Sequence, residues 1–171
     1  MMNTEVQVRL RAIEPEDLDM LYRIENDSEL WNVSETNVPY SRFALHDYVA
    51  NSSFDIYKDR QVRMMIDDSQ GNTVGIVDIV NFNPQHRRAE VGIIIQNRYR
   101  NKGYAQSAVK KVLEYARTVL HLHQLYAIVD EKNDISIRLF ESLGFVKNVR
   151  MKDWLSDEKS FHDAWLLQFF L

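Results

Sequence analysis

A chain of 171 residues with 45% hydrophobic content can bury one full core, and its five glycines and three prolines build no linker or repeat, so one domain over 1–171 is expected. The absence of cysteine excludes disulfides, thiolate metal sites and a cysteine nucleophile. A formal net charge of −4, with no leader-like start and no run of about 18 apolar residues, predicts a cytoplasmic protein with neither nucleic-acid nor membrane partners.

From the N-terminus, "VQVRLRA" (6–12) alternates apolar and polar residues and predicts a strand. "EPEDLDMLYRIEND" predicts a helix, with Pro15 suited to its first turn and acids favoured by the helix dipole. Residues 28–60 are less legible, with a second helix expected around "SRFALHDYVAN". "VRMMIDD" and "TVGIVDIVNF" predict two strands joined by a turn at "SQGN", and "AEVGIIIQ" a strand buried on both faces. Apolar residues at Ala105, Ala108, Val109, Val112, Leu113, Ala116, Val119 and Leu120 mark one helical stripe. "QLYAIVD" predicts a strand, and "NDISIRLFESLGF" a short helix capped by Asn133 or Asp134 and stopped by Gly144. "FVKNVRM" and "FHDAWLLQFF" read as a closing antiparallel pair. The order β-α-α-β-β-β-α-β-α-β-β predicts a mixed α/β (α+β) sheet with helices on its faces.

Charge is unevenly placed. Residues 14–35 hold eight acids (Glu14, Glu16, Asp17, Asp19, Glu25, Asp27, Glu29, Glu35) against Arg23 alone, while residues 85–111 hold seven bases against Glu90 alone. The acidic end suits a cationic partner and the basic middle an anionic one, unless both are ordinary solvated faces. In "NRYRNKGYAQSAVKK" (97–111) a strand runs into a glycine turn and then a helix, which gathers backbone N–H groups and the helix dipole around one spot suited to phosphate. The stretch lacks both G-K-[ST] and G-x-G-x-x-G, so it is neither a P-loop nor a dinucleotide fingerprint. His121 and His123 have no third ligand in reach by spacing, and no metal is expected.

"RNKGYA" (Arg100, Asn101, Lys102, Gly103, Tyr104, Ala105) resembles the [QR]-x-x-G-x-[GA] loop of the GNAT acetyltransferase superfamily, and the element order and the "N…LGF" helix match too. The resemblance implies the GNAT fold: a mostly antiparallel sheet of about seven strands, splayed where acetyl-CoA binds. It implies that acetyl-CoA is co-substrate, with main-chain groups of Ile93, Ile94 and Ile95 on its pantetheine arm, the amides of Arg100 to Ala105 on its pyrophosphate, and Asn133 and Phe140 beside it. A main-chain N–H on the Ile93–Ile95 strand could also stabilise the oxyanion of acetyl transfer.

Acetyl transfer to an alkylamine, whose pKa is roughly 10, needs a group to help remove a proton. Glu90 is the favoured base, with a strand-end ion pair to Arg87 or Arg88 as the alternative. Asp78 is second choice; alternation places it on a face with Val74, Ile76, Val80 and Phe82, where a structural ion pair is the competing reading. Many GNAT enzymes carry a proton-donating tyrosine four residues before the glycine of "LGF"; Phe140 stands there, leaving that role to water or a neighbour such as Tyr104 or Tyr126.

Within the superfamily, "LRAIEPEDL", "HRRAEVGIII" and "LYAIVDEKN" are most similar to the bacterial spermidine/spermine acetyltransferases. That resemblance implies a polyamine acceptor such as spermidine, with Glu35, Asp78 and Asn81 as acceptor-side candidates, and a homo-oligomer in which the apolar C-terminus could take part. That family's acidic "WFEEPYE"-like loop is "VSETNVPYS" here, and its second strand glutamate is Asn81. The ribosomal-protein N-terminal acetyltransferase branch, with a peptide amine, is the runner-up. A weakly or non-catalytic acyl-CoA-binding module is the reading outside catalysis.

Overall fold

A computed structural model describes residues 6–28, 30, 38–157 and 159–171. Strand β1 (Val8–Arg11) leads through a 3-10 turn at Pro15–Asp17 into α1 (Leu18–Glu25), then α2 (Arg42–Asn51) and α3 (Ile56–Asp59). Next come β2 (Val62–Asp68), β3 (Thr73–Asn83), β4 (Arg88–Ile95), α4 (Tyr104–Thr118), β5 (Gln124–Asp130), α5 (Asp134–Ser142), β6 (Val146–Ser156) and β7 (Phe161–Phe170). The one-turn α3 is additional to the predicted order; its N-cap is Asp55, whose side chain accepts from the Tyr57 amide. Ser41 caps α2 by accepting from Ala44, and Asn133, not Asp134, caps α5 by accepting from Ser136. Gly71 and Gly144, at φ 85° and 95°, hold the left-handed positions that the hairpin and the end of α5 require.

The seven strands form one sheet in the order β1-β2-β3-β4-β5-β7-β6, antiparallel throughout except between β4 and β5. Helices α4 and α5 bury Val109, Val112, Ile137 and Phe140 against one face, with Val77, Ile79, Val91, Leu125 and Leu167. Helices α1 and α2 bury Leu21, Ile24 and Leu45 against the other face, over Met65 and Ile76. The predicted stripe on α4 is buried except at its end: the helix stops at Thr118, and Val119 is 56% exposed.

Two irregularities in β3 decide what faces where. The pairing with β2 passes from Ile66↔Gly75 to Asp67↔Thr73, so Val74 is an extra residue; near the other end it passes from Val80↔Glu90 to Asn83↔Arg88. An extra residue reverses the alternation beyond it. Val74 and Phe82 therefore join the α4 side while Ile76 stays on the α1 side, correcting the single face expected for all of them. Asn81 sits inside the second bulge with φ 51°.

On β1, Arg11 donates to Asp67 (2.7 Å), to both oxygens of Asp17 (2.8 and 2.9 Å) and to Thr73 (3.0 Å), tying β1, β2, β3 and the entry to α1. Burial pushes the Asp17 carboxyl up, but the Arg11 hydrogen bond and the Glu14 amide outweigh it and hold it below the ordinary carboxylate value.

Two expectations follow from this packing. A Cβ at Gly75 would overlap the Ile94 carbonyl oxygen and meet the Ile95 side chain, so Gly75→Ala should lose about 1–3 kcal/mol in urea unfolding. A carboxylate depressed in the folded state stabilises above its unfolded pKa and loses that contribution as pH falls through the folded one. Urea midpoints measured from pH 6 to pH 3 should therefore drop more steeply in the wild type than in Asp17→Asn.

Candidate active site

Strand β4 stays paired with β3 as far as Ile95, and β5 stays paired with β7 as far as Asp130. Between β4 and β5, pairing covers only Arg88–Glu90 against Gln124–Tyr126. Beyond Glu90 the two parallel strands part, and one edge of β4 from Val91 to Ile95 faces a gap. Main-chain N–H and C=O groups along such an edge can pair with an extended ligand as a further strand would. Gly92 faces open space on the face of the sheet beside that edge, since nothing lies within 4 Å of a Cβ built there. The resulting cleft, about 570 Å³, is lined at the parting by Glu90, Gly92, Ile93, Ile94, Asn133 and Phe140. That size suits one small-molecule ligand.

The end of β4 runs into the basic loop. Asn101 and Gly103 have φ 59° and 84°, and Gly103 is the N-cap of α4. A glycine cap has no side chain to offer, so the first-turn amides of α4 lack both an intrahelical partner and a side-chain cap, and the helix dipole adds positive potential there. The Arg100 amide instead closes on the Asn97 carbonyl (3.2 Å), and its Nε donates to Ile95 O (3.0 Å). Arg98 and Lys102 lie over Tyr99, 4.7 and 5.7 Å from the ring centre, and Tyr104 meets the same ring edge-on. These contacts stiffen the loop around the concavity that the amides line.

At the point of parting, Glu90 accepts a hydrogen bond from Asn81 Nδ2 (2.9 Å), while the Arg87 guanidinium donates to the His121 carbonyl (2.8 Å). Tyr126 is the register partner of Glu90 on β5. Burial and then the Glu90 charge push the Tyr126 hydroxyl pKa up, against the Arg88 charge and the Asn81 side chain, which pull it down. Phe140 is 3% exposed and packs edge-on against Phe145, 5.0 Å between ring centres.

The acceptor-side acids are less free than their number implied. Asp78 takes both Nε (2.7 Å) and Nη2 (2.8 Å) of Arg63, whose Nη1 is paired with Glu25. Asp17 is spent on Arg11 and Asp19 pairs with Arg42. Glu29 and Glu35 lie outside the described residues. Arg63 was not among the predicted site residues, although a cation within the apolar strand "VRMMIDD" was a usable signal for a buried partner. Among the described residues, no three His, Asp or Glu groups converge as metal ligands, and no helix is long and apolar enough to cross a membrane.

Comparison with known proteins gives this geometry a lineage. Residues 7–146 match the acetyltransferase (GNAT) domain model. The chain is 31% identical over 141 residues to a spermidine N(1)-acetyltransferase of Vibrio cholerae, covering 82% of this chain and 80% of that one. It is 34% identical over 142 residues to the Escherichia coli (strain K12) spermidine N(1)-acetyltransferase, covering 81% and 72%. A putative ribosomal N-acetyltransferase of Bacillus subtilis is 27% identical over 93 residues, covering 54% and 51%. Among solved structures, Vibrio cholerae spermidine N-acetyltransferase in complex with CoA and spermine superposes with a TM-score of 0.85 at 28% identity, over 96% of this chain and 95% of that one. A dodecameric structure of that enzyme in an intermediate state gives 0.80, also at 28% identity, over 96% and 94%. Sequence match, sheet order and parted strands agree: the chain belongs to the GNAT family of N-acetyltransferases.

Proposed function

We propose that this protein moves the acetyl group of acetyl-CoA to a primary amine of a polyamine such as spermidine. The parting of β4 from β5 beside Glu90 is the observation that carries the reading, because it supplies a strand edge and a carboxylate along one cleft, with β4 leading on to the uncapped amides of α4. The likeness to spermidine acetyltransferases, one of them solved with CoA and spermine, supports the choice of donor and acceptor. In this reading the amides from Asn101 to Ala105 hold the pyrophosphate, the β4 edge at Ile93–Ile95 pairs with the pantetheine arm, and Asn133 and Phe140 wall the cleft. Val146, Val149, Trp154 and Phe161 on the outer hairpin are exposed and apolar, which suits a homo-oligomer like its dodecameric neighbour, acting in the cytoplasm.

The chemistry asks little of the chain beyond placement and one proton. The amine arrives protonated, with a pKa of roughly 10, and Glu90 takes that proton directly or through water. The nitrogen attacks the thioester carbonyl, a β4 amide stabilises the oxygen that gains charge, the C–S bond breaks as the nitrogen releases its second proton to solvent, and an acetamide and the CoA thiolate result. Phe140 cannot donate to the leaving sulfur, so solvent supplies that proton, at some cost in rate. The ion triad Glu25–Arg63–Asp78 favours a second reading, an N-terminal peptide amine, because it neutralises one of two acceptor-side carboxylates.

Thiol release across a panel of spermidine, spermine, diamines and peptide N-termini separates these acceptors. Acetyl-CoA binding without turnover on any of them would leave a non-catalytic acyl-CoA-binding module. Glu90→Gln should lower kcat by roughly 10²-fold while acetyl-CoA affinity stays within twofold. An unchanged rate across pH removes Glu90 as the base. Phe140→Tyr should raise kcat if thiolate protonation limits the rate, and no gain assigns the limit to another step.

A further inference from the structure

The mechanism proposed above makes no use of Asn81, yet this residue, like Arg60 on the same cleft wall, has a left-handed backbone. It holds φ 51° inside a bulge of β3, opposite the start of β4. A left-handed residue inside a strand is strained, less for asparagine than for most residues, and bulges beside active sites commonly re-aim a side chain. Here the re-aimed amide donates to Glu90 Oε2 at 2.9 Å. It also acts on the Tyr126 hydroxyl, which faces the same carboxylate across the last β4–β5 pair. Strain, hydrogen bond and register converge on one carboxylate oxygen.

We propose that Asn81 is a positioning residue: its bulge aims the amide so that one oxygen of the Glu90 carboxylate is held at the fork. The inference rests on the reading of Glu90 as base. It also reassigns Asn81, which stood as an acceptor-binding candidate. A neutral donor here keeps a second negative charge away from Glu90. Arg88 and Tyr126 lie close to Glu90, and Glu25, Asp59, Arg60, Arg63, Asp78 and Asp130 line the same cleft.

Two substitutions separate aim from architecture. Asn81→Gly tolerates the left-handed backbone and removes the amide; Asn81→Asp keeps the shape, loses the donor and adds a like charge. Steady-state rates with acetyl-CoA and spermidine should show kcat down about tenfold in Asn81→Gly, with KM for acetyl-CoA and the thermal midpoint nearly unchanged. In Asn81→Asp the acidic limb of the pH–rate profile should move to higher pH. A readout independent of turnover is 13C NMR titration of glutamate-labelled protein, with Glu90 assigned by its loss in Glu90→Gln. Its resonance should titrate at higher pH in Asn81→Asp than in the wild type. If Glu90→Gln is impaired while both Asn81 variants match the wild type in rate, pH limb and resonance, the positioning role is overturned and the base survives. If Glu90→Gln itself is unimpaired, both fall.

Discussion

Parallel pairing between β4 and β5 ends after Glu90 and Tyr126, and the cleft walled by Glu90, Ile93, Ile94, Asn133 and Phe140 follows from that ending. Strand β4 cannot follow β5, because β3 holds it to Ile95 through the close approach at Gly75; β5 is held by β7 to Asp130. Two strands anchored on opposite outer neighbours diverge, and the sheet's own twist widens the gap. Each then feeds a helix, so the N-termini of α4 and α5, capped by Gly103 and Asn133, both lie at the carboxyl ends of the parted strands. Open sheets bind ligands in such a crevice, where helix dipoles and unpaired strand edges converge.

Electrostatics divides the two sides of the crevice. On the loop side, positive potential comes from backbone amides and a dipole, while Arg98, Arg100 and Lys102 are engaged with Tyr99 and the Ile95 carbonyl. Fixed amides hold phosphate without ordering long side chains at the moment of binding, which favours tight and geometrically defined capture. On the other side, arginines on β1 and β2 consume several carboxylates. Arg63 lies between Glu25 and Asp78 in the wall of the cleft, so the triad carries one net negative charge rather than two. Any cationic acceptor meets a wall already partly neutralised from within.

The sequence made the sheet legible because its signals are local: alternation in "VQVRLRA", the "SQGN" turn, the α4 stripe and Gly144 each dictate structure within a few residues. The shape of the basic loop was legible for the same reason, since loop, glycine and helix are contiguous. What escaped depends on residues distant in the chain. Strict alternation misplaced Val74 and Phe82 because bulges arise from pairing between strands, which one strand's pattern does not contain. Arg63 meets Glu25 from 38 residues away, and the Asn81–Glu90 bond needs both the bulge and the β3–β4 register. Of the two expected ion-pair partners of Glu90, Arg87 and Arg88, the first also donates its Nε to the His121 carbonyl, a contact 34 residues along the chain.

In the proposed function the fork between β4 and β5 seats the acyl donor. A crystal structure of the protein with CoA tests it most directly. The account predicts the pantetheine arm hydrogen-bonded along Ile93–Ile95, its sulfur in the gap beyond Glu90, and the pyrophosphate on the amides between Asn101 and Ala105. CoA bound elsewhere, or β4 and β5 paired to their ends with CoA present, would contradict it.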